Sequence, residues 1–260
     1  MAKFYPMFSS SKGNCIYMGD ENGGILVDAG VSFKKIEAAI ASARLSLSDI
    51  KGILITHEHT DHICGLKTLL KKVDVPVIAS RDTIYALEFL KIINSDTKRI
   101  YADDVIDLEG INITRFATSH DCNGSSGYVI KLPTGTKGAV CTDLGIMTQE
   151  IIERISNCDI VMLESNHDPV MLRMGPYTPE LKLRVASDKG HLSNAVCADT
   201  VAKLYKSGCY RFVLAHLSEN NNTPDKAEAA TRAALFDAGA KADDYILYIA
   251  PKENGKVIAL

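Results

Sequence analysis

The chain has 260 residues, of which 46% are hydrophobic and 23% are charged, and its formal net charge is −3 at pH 7. These values are ordinary for a soluble globular protein, and the length is enough for one large domain or two small ones. The net charge excludes a global attraction to nucleic acid, so binding of a polyanion would have to come from a local patch and from bound metal ions.

Seven cysteines occur along the chain, and none forms a Cys-x-x-Cys pair. An odd number without paired spacing predicts reduced thiols and a cytoplasmic location rather than a disulfide framework. The N-terminus has no long apolar stretch behind a basic start, so we expect no signal peptide. No run of about 18 apolar residues occurs either, so we expect no membrane-spanning helix.

The first part of the sequence predicts a polar loop, two short strands, a helix and a buried strand, over 9–14, 14–18, 24–28, 33–44 and 52–56. Apolar residues then recur at helical spacing, with Thr60 as the N-cap. They predict one continuous helix that ends near Lys72.

Three histidines and an aspartate lie directly after the strand at 52–56: His57, His59, Asp61 and His62. Residues two apart in an extended segment point the same way, so His57 and His59 can reach one point. Asp61 and His62 begin the predicted helix, whose N-terminus favours an ionised aspartate. Imidazole and carboxylate are preferred ligands of divalent transition metals, so the cluster predicts metal binding rather than satisfied core histidines. One short loop could then serve two neighbouring metal ions.

Strands and helices continue to the end of the chain, without an internal repeat or a linker. Further strands are predicted at 75–79, 104–108, 111–117, 125–132, 138–142, 159–163 and 211–215. Further helices are predicted at 82–93, 148–156, 194–207 and 224–238. The segment 169–189 is the least regular, and the tail is predicted to form an edge hairpin from 245–250 and 256–259. The pattern alone predicts a mixed α and β protein, which we interpret as a single domain over 1–260.

Polar side chains also follow several later strands at the point where each strand ends. His120 follows the strand at 111–117, the same kind of position as that of His57, and His216 follows the strand at 211–215. Asp143 follows the strand at 138–142. Taken alone it would be an ordinary turn residue, but its place at a strand end makes it a candidate bridging carboxylate.

The motif His57-x-His59-x-Asp61-His62 after an apolar strand resembles the signature of the metallo-β-lactamase fold, and the similarity spans about 9–224. The resemblance implies an α/β protein built as an αββα sandwich, in which helices flank two central mixed β-sheets. It also implies a dinuclear centre. Two cations about 3.5–4 Å apart can share one hydroxide, lower its pKa and clamp the attacking and leaving oxygens.

The same resemblance assigns seven ligands to two ions. The first ion takes His57, His59 and His120. The second ion takes Asp61, His62 and His216, and Asp143 bridges both. A set made only of nitrogen and oxygen allows Zn²⁺, Mn²⁺ or Fe²⁺, and the sequence does not choose among them.

Two further residues match a catalytic pair. The segment from Gly190 to His216 resembles the corresponding part of ribonuclease Z-like phosphodiesterases. In those enzymes the histidine that matches His191 works with a glutamate, here Glu164, to protonate the leaving group. Expelling an alkoxide from a phosphodiester requires a proton or a metal ion. The alternative is that His191 only binds backbone or helps to close a loop.

Four loops narrow the resemblance to the YycJ/WalJ (VicX) branch of the fold, at 9–14, 164–168, 190–194 and 216–224. That branch is associated with exonuclease action on DNA. It implies a 5′-to-3′ exodeoxyribonuclease that acts on single- or double-stranded DNA ends. The catalytic residues would be Asp61, Glu164 and His191. The supporting or substrate-contacting residues would be Asp28, which supports the segment 57–62 from behind, and Asn14, His167, Ser193 and Asn194.

One departure from larger nuclease relatives affects the grip on a DNA strand. The stretch between Asp143 and His216 is too short for the extra clamp domain of the ribonuclease J-like group. The grip must then come from loops, mainly the segment 169–189 with its four basic residues. The alternative is that this segment is an ordinary solvated lid.

Two other functions stay open at the level of the sequence. The first is a small-molecule hydrolase that cleaves a thioester or a lactam with the same ligands. The second is a regulatory binding protein that keeps a metal ion for stability, which the complete set of seven ligands disfavours. The sequence does not predict an oligomeric state.

Overall fold

The structure is a computed structural model that describes residues 1–103 and 105–260. Asp104, the first residue of the strand predicted at 104–108, lies outside the described residues. The chain packs into two compact units. The first comprises 1–117, 122–136 and 251–260, and the second comprises 118–121 and 137–250. The single domain over 1–260 stays a prediction.

The described residues form strands and helices in alternation. The strands are β1 Lys3–Ser10, β2 Gly13–Asp20, β3 Gly23–Val27, β4 Ile50–Leu54, β5 Val77–Ala79, β6 Arg99–Tyr101, β7 Ile106–Leu108, β8 Ile111–Ala117, β9 Ser126–Lys131, β10 Lys137–Cys141, β11 Ile160–Glu164, β12 Arg211–Ala215, β13 Ile246–Ile249 and β14 Ile258–Ala259. The helices are α1 Phe33–Ser42, α2 Thr60–Ile63, α3 Leu66–Leu69, α4 Arg81–Phe89, α5 Gln149–Ile155, α6 Pro169–Met174, α7 Pro179–Val185, α8 Asn194–Lys206 and α9 Pro224–Asp237, with a 3₁₀ turn at Leu47–Asp49.

The first unit contains a mixed sheet in the order β14-β1-β2-β3-β4-β5-β6. Strands β3 to β6 run parallel, whereas β1 pairs antiparallel with β2 and with β14. Strands β7, β8 and β9 of this unit pair antiparallel. The core includes Tyr17, Leu26 and Ile53, which are fully buried. Strand β4 leads directly into the segment that carries His57 to His62.

The second unit is built on the parallel strands β10, β11, β12 and β13, which pair in that order. All five residues of β11 are buried. Because neighbouring parallel strands point the same way, the carboxyl ends of β10, β11 and β12 share one edge. The residues that leave this edge are Asp143, Glu164 and His216.

Helix boundaries that have a strong local signal in the sequence lie where the sequence predicts them. Ser193 caps α8 and accepts a hydrogen bond from the backbone N–H of Val196. Thr223 caps α9 with Pro224 in its first turn, and Gly239 follows the end of the helix at φ +90°.

The continuous helix predicted from Thr60 to Lys72 is wrong. The structure has two short helices, α2 and α3, and Gly65 lies between them. The backbone N–H of Gly65 donates to the carbonyl of Ala29, and a Cβ at Gly65 would lie 2.0 Å from the carbonyl oxygen of Val31. The break follows from this close approach of two backbones. Thr60 is the first residue of α2, and the N-cap is His59.

Three other local predictions are corrected. The loop predicted at 9–14 is a tight β-hairpin, because β1 and β2 pair from Ser10 and Gly13 onward. The irregular segment 169–189 contains α6 and α7. The tail hairpin is wrong, since β13 pairs with β12 and β14 pairs with β1.

Two findings bear on compartment and membrane. None of the seven cysteines, which lie among the described residues, forms a disulfide bond, and five of them are buried. No helix within 1–103 and 105–260 has the length and apolar character needed to cross a bilayer.

Candidate metal centre

The segment 57–62 of the first unit, which we name the metal loop, is held in place by the buried carboxylate of Asp28. Oδ1 accepts the backbone N–H of Thr56 over 2.8 Å, and Oδ2 accepts the Thr56 hydroxyl over 2.9 Å. Nδ1 of His62 lies 2.8 Å from Oδ2. Burial raises the pKa of Asp28, while the charge and hydrogen bond of His62 and the bonds from Thr56 lower it. The carboxylate thus joins the end of β4 to the start of α2.

These contacts set the tautomers of two histidines. Nδ1 of His62 donates to Asp28, which leaves its Nε2 as an acceptor. Because the Thr56 hydroxyl donates its proton to Asp28, it acts as an acceptor towards Nδ1 of His57, 3.1 Å away. Both rings therefore carry an unprotonated Nε2, as a metal ligand requires.

The remaining groups of this loop lie close to those two rings. The ring centroid of His57 lies 4.5 Å from that of His59 and 4.1 Å from that of His62. The side-chain amide nitrogen of Asn14 lies 3.1 Å from Nε2 of His62 and 3.4 Å from Oδ2 of Asp61. Asn14 thus touches the groups predicted as ligands of the second ion.

Gly30 allows the metal loop to lie against the strand behind it. A Cβ at Gly30 would lie 1.6 Å from the backbone oxygen of Asp61. The backbone N–H of Gly30 donates to the carbonyl of Asn14, and that of Ala29 donates to the carbonyl of His62. No other residue type fits at this position without moving the loop.

The second unit places its polar groups at the ends of parallel strands. Asp143 and His216 adopt left-handed backbone at φ 59° and φ 54°, and Asp28 of the first unit does so at φ 60°. Aspartate and histidine tolerate this conformation better than most residues other than glycine. The turn in the backbone directs Asp143 and His216 towards each other, with Nδ1 of His216 at 2.9 Å from Oδ1 of Asp143.

Glu164 and His191 form a buried pair beside them. Nδ1 of His191 lies 2.7 Å from Oε1 of Glu164, and Oε2 accepts the backbone N–H groups of Leu144 and Leu192. Burial raises the pKa of Glu164. The charge of His191 and the hydrogen bonds from His191 and His216 lower it by more, so that the pKa is about 2. Burial lowers the pKa of His191, but the charge of Glu164 raises it above its ordinary value. The pair thus holds a proton on His191.

One atom each from Asp143, Glu164, His191 and His216 lies within 4.8 Å of the other three. Burial lowers the pKa of His216, but Asp143 and Glu164 together raise it to about 10. The carboxylate of Asp143 and the imidazole of His216, 2.9 Å apart, suit a divalent cation, which would take the place of the proton they share. The residues present therefore fit a metal ion.

His120 lies at the margin of this cluster. Its Nδ1 lies 3.2 Å from the carbonyl oxygen of Gly190, and its ring centroid lies 5.1 Å from that of His191. Burial lowers its pKa. Nδ1 donates to the carbonyl, and Nε2 lies 3.3 Å from Oδ1 of Asp121.

A network of amides supports the strand ends from below. Asn194 accepts the hydroxyl of Ser165 over 2.7 Å and donates to Asn222 over 2.8 Å. Asn166 donates to the backbone oxygen of His216 over 3.0 Å, which holds that residue in its left-handed conformation. The sequence predicts Asn194 as a supporting or substrate-contacting residue, and the structure places it inside this network.

His167 lies next to the network and is 4% exposed. Its carbonyl oxygen accepts the backbone N–H of Asn194, and burial lowers the pKa of its ring. Among the described residues, Nδ1 of His167 has no hydrogen-bond partner. Ser193 serves as the N-cap of α8.

Comparison with known proteins agrees with this geometry. The protein family described as the beta-lactamase superfamily domain matches residues 24–217 of this chain. Exodeoxyribonuclease YycJ of Bacillus anthracis is 37% identical over 238 residues, which cover 91% of this chain and 90% of the relative. The chain belongs to the YycJ/WalJ family of the β-lactamase superfamily.

A second member of the YycJ/WalJ family has similar coverage. Exodeoxyribonuclease WalJ of Streptococcus pneumoniae is 33% identical over 247 residues, 93% of this chain and 91% of the relative. Among solved structures, the metallo-beta-lactamase fold protein YhfI of Bacillus subtilis superposes with a TM-score of 0.73 over the full length of both chains, at 16% identity. These findings confirm the predicted fold class of two mixed β-sheets flanked by helices. They also confirm an enzyme of the metal-dependent hydrolase class.

Sequence reasoning missed two residues that matter for this YycJ/WalJ family member. Thr56 links Asp28 to His57 and His62, and its only signal was a hydroxyl at the last position before the motif. Asn222, which donates to the backbone oxygens of Ser165 and Asn166, lies in a run of three asparagines with no distinguishing pattern.

Proposed function

We propose that this protein is a metal-dependent phosphodiesterase that digests DNA from the 5′ end towards the 3′ end. The relatives with high coverage carry the name exodeoxyribonuclease. The observation that supports phosphodiester cleavage most directly is the 2.7 Å contact between Nδ1 of His191 and Glu164. Cleavage of a thioester or a lactam has less need of such a proton donor.

The proposed centre would hold two divalent ions. His57, His59 and His120 would hold one of them. Asp61, His62 and His216 would hold the other, and Asp143 would contribute to both. Zn²⁺, Mn²⁺ and Fe²⁺ all accept such a set of nitrogen and oxygen donors. When bound, the ions supply Lewis acidity that activates water and neutralises charge on the phosphate.

The protein's own residues supply the rest of the chemistry. Asp28 and Thr56 fix the orientation of His57 and His62. Asp61 orients the attacking water. Glu164 keeps His191 protonated, and His191 donates that proton to the departing 3′ oxygen as the P–O bond breaks. A positioned proton donor contributes about 10²–10⁴-fold in rate.

The proposal is tested by digestion of DNA labelled at the 5′ or the 3′ end, with Zn²⁺, Mn²⁺ or Fe²⁺ added to protein stripped of metal. We expect release of the 5′ label first, and loss of digestion in Asp143→Asn. The exposed Asp199→Asn on α8 is the matched control. Unchanged digestion by Asp143→Asn would refute the proposed centre. Turnover of nitrocefin or lactoyl-glutathione without turnover of DNA would favour the small-molecule hydrolase instead.

The cysteines, none of which forms a disulfide bond among the described residues, also support the proposed compartment. Burial raises the pKa of Cys15 and Cys141, which keeps these thiols unreactive. We propose that the protein works in the reducing environment of the cytoplasm.

A further inference from the structure

The segment 169–189, which we name the helical arm, has a defined structure and a highly exposed surface. It contains α6 and α7, capped by Asp168 and Thr178. Only Leu172 of α6 is buried, and α7 has no buried residue. The Nζ of Lys182 donates to the backbone oxygen of Arg173 over 2.9 Å and joins the two helices. The arm thus has its own order although it contributes little to the core.

The charge of the helical arm differs from that of the rest of the chain. It contains four basic residues and two acidic residues, whereas the whole chain has a net charge of −3. Arg184 pairs with Asp121. Arg173 and Lys189 have no ion-pair partner within residues 1–103 and 105–260. These two cations are available to a ligand.

The helical arm also exposes large apolar side chains on the same short segment as those cations. Met174 is 77% exposed, Leu183 is 73% exposed and Val170 is 54% exposed. A solvated lid would carry polar residues at such positions. Cations next to apolar side chains match the chemistry of a single strand of nucleic acid, whose phosphates are anionic and whose unpaired bases have apolar faces.

The helical arm is attached to the catalytic pair rather than to a remote surface. The backbone N–H of His191 donates to the carbonyl of Val185 over 2.9 Å, at the end of α7. The guanidinium of Arg184 donates to Asp121, whose Oδ1 lies 3.3 Å from Nε2 of His120. A ligand on the arm would therefore lie next to His191.

We propose that the helical arm is the surface that holds the single strand of DNA beside His191. Arg173 and Lys189 contact phosphates, and Met174 and Leu183 contact unpaired bases. This inference rests on the proposed function. In this role the helical arm, a segment of 21 residues, takes the place of the extra clamp domain of larger nucleases.

The test measures binding of a fluorescent phosphorothioate thymidine 20-mer, which resists cleavage, to the metal-loaded protein at several salt concentrations. For Arg173→Gln with Lys189→Gln, we expect the slope of log K against log salt to shrink by about 1.4. The reason is that each phosphate contact on a single strand contributes about 0.7. The matched control is Lys206→Gln with Lys241→Gln, which removes two exposed cations elsewhere in the same unit.

A second pair of variants tests the apolar contacts. Met174→Ser with Leu183→Ser should weaken binding of the 20-mer by about tenfold or more, since two exposed apolar side chains lose their partners. Phe236→Ser with Ile246→Ser changes two exposed apolar residues of α9 and β13 and serves as the control. In the cation and the apolar variants, the ratio of kcat/KM for DNA to kcat/KM for bis-p-nitrophenyl phosphate should fall.

The outcomes separate this inference from the proposed function. Suppose that the wild type digests DNA while both arm variants keep the wild-type affinity for the 20-mer and the wild-type salt slope. The inference is then wrong, and the proposed nuclease function is still supported. If the 20-mer binds through the arm but labelled DNA is not digested, the proposed function is wrong. Equal dependence on the arm for a blunt duplex would refute the preference for a single strand.

Discussion

The hydroxyl of Thr56 lies 2.9 Å from Oδ2 of Asp28, and both residues are buried. We expect Thr56→Val to lower the affinity for Zn²⁺ or Mn²⁺ by about 10–100-fold, because groups that orient metal ligands contribute this much. Metal content after dialysis against a chelator of known affinity measures the effect. Thr200→Val, a buried threonine whose hydroxyl bonds to Val196 in α8, is the control. Equal metal affinity in the two variants would contradict the role of Thr56.

The pair of His191 and Glu164 predicts a dependence on the leaving group. His191→Ala should slow digestion of DNA by about 10²–10⁴-fold, because an alkoxide leaves poorly without a proton. The same variant should slow hydrolysis of bis-p-nitrophenyl phosphate far less, since p-nitrophenolate leaves without one. Glu164→Gln should show the same pattern. Equal losses on both substrates would mean that the pair only maintains the structure.

Gly30 should be intolerant of any side chain. Gly30→Ala forces a backbone shift, since its Cβ would lie 1.6 Å from the oxygen of Asp61. We expect a loss of more than about 3 kcal/mol in the free energy of unfolding, together with loss of metal. The control is Gly135→Ala, where no atom lies within 4 Å and only the positive φ opposes a side chain. That change should cost about 1–2 kcal/mol and leave metal content unchanged. Urea unfolding of both variants decides the comparison.

Metal removal should destabilise the fold. A ligand present at 100 times its Kd stabilises the native state by about 2.7 kcal/mol. For a chain of this size we expect removal by EDTA to lower Tm by roughly 5–10 °C, and added Zn²⁺ or Mn²⁺ to restore it. Calorimetry on the wild type and on Asp143→Asn checks this, since the variant should respond less. An identical Tm with and without metal would argue against the proposed ligands.

The predictable parts of this protein are those with local causes. Ser193 and Thr223 revealed two helix starts, because a capping side chain acts within its own turn. The break at Gly65 was not predictable, since its cause is the carbonyl of Val31, far away along the chain. The pairing partners of the strands that begin at Ile246 and Ile258 were not predictable for the same reason. Both strands are short and apolar, and pairing with distant strands decides where each belongs.

The candidate site divides in the same way. Dense motifs such as His57 to His62 are visible because several ligand types occur together. Thr56 was missed because one threonine at a strand end has no signature until Asp28 is known to face it. The catalytic role predicted for Glu164 and His191 came only from the resemblance to a family, since the two residues are far apart along the chain.

Left-handed backbone at Asp28, Asp143 and His216 limits how this protein can be engineered for heat resistance. Replacing left-handed residues with glycine is a common stabilising strategy, and it is open at Arg44 and Lys91, which follow α1 and α4. The same exchange at the three strand ends would relax the backbone but discard a carboxylate or an imidazole. Directed evolution for higher melting temperature should therefore collect glycines at the helix ends and none at these three positions.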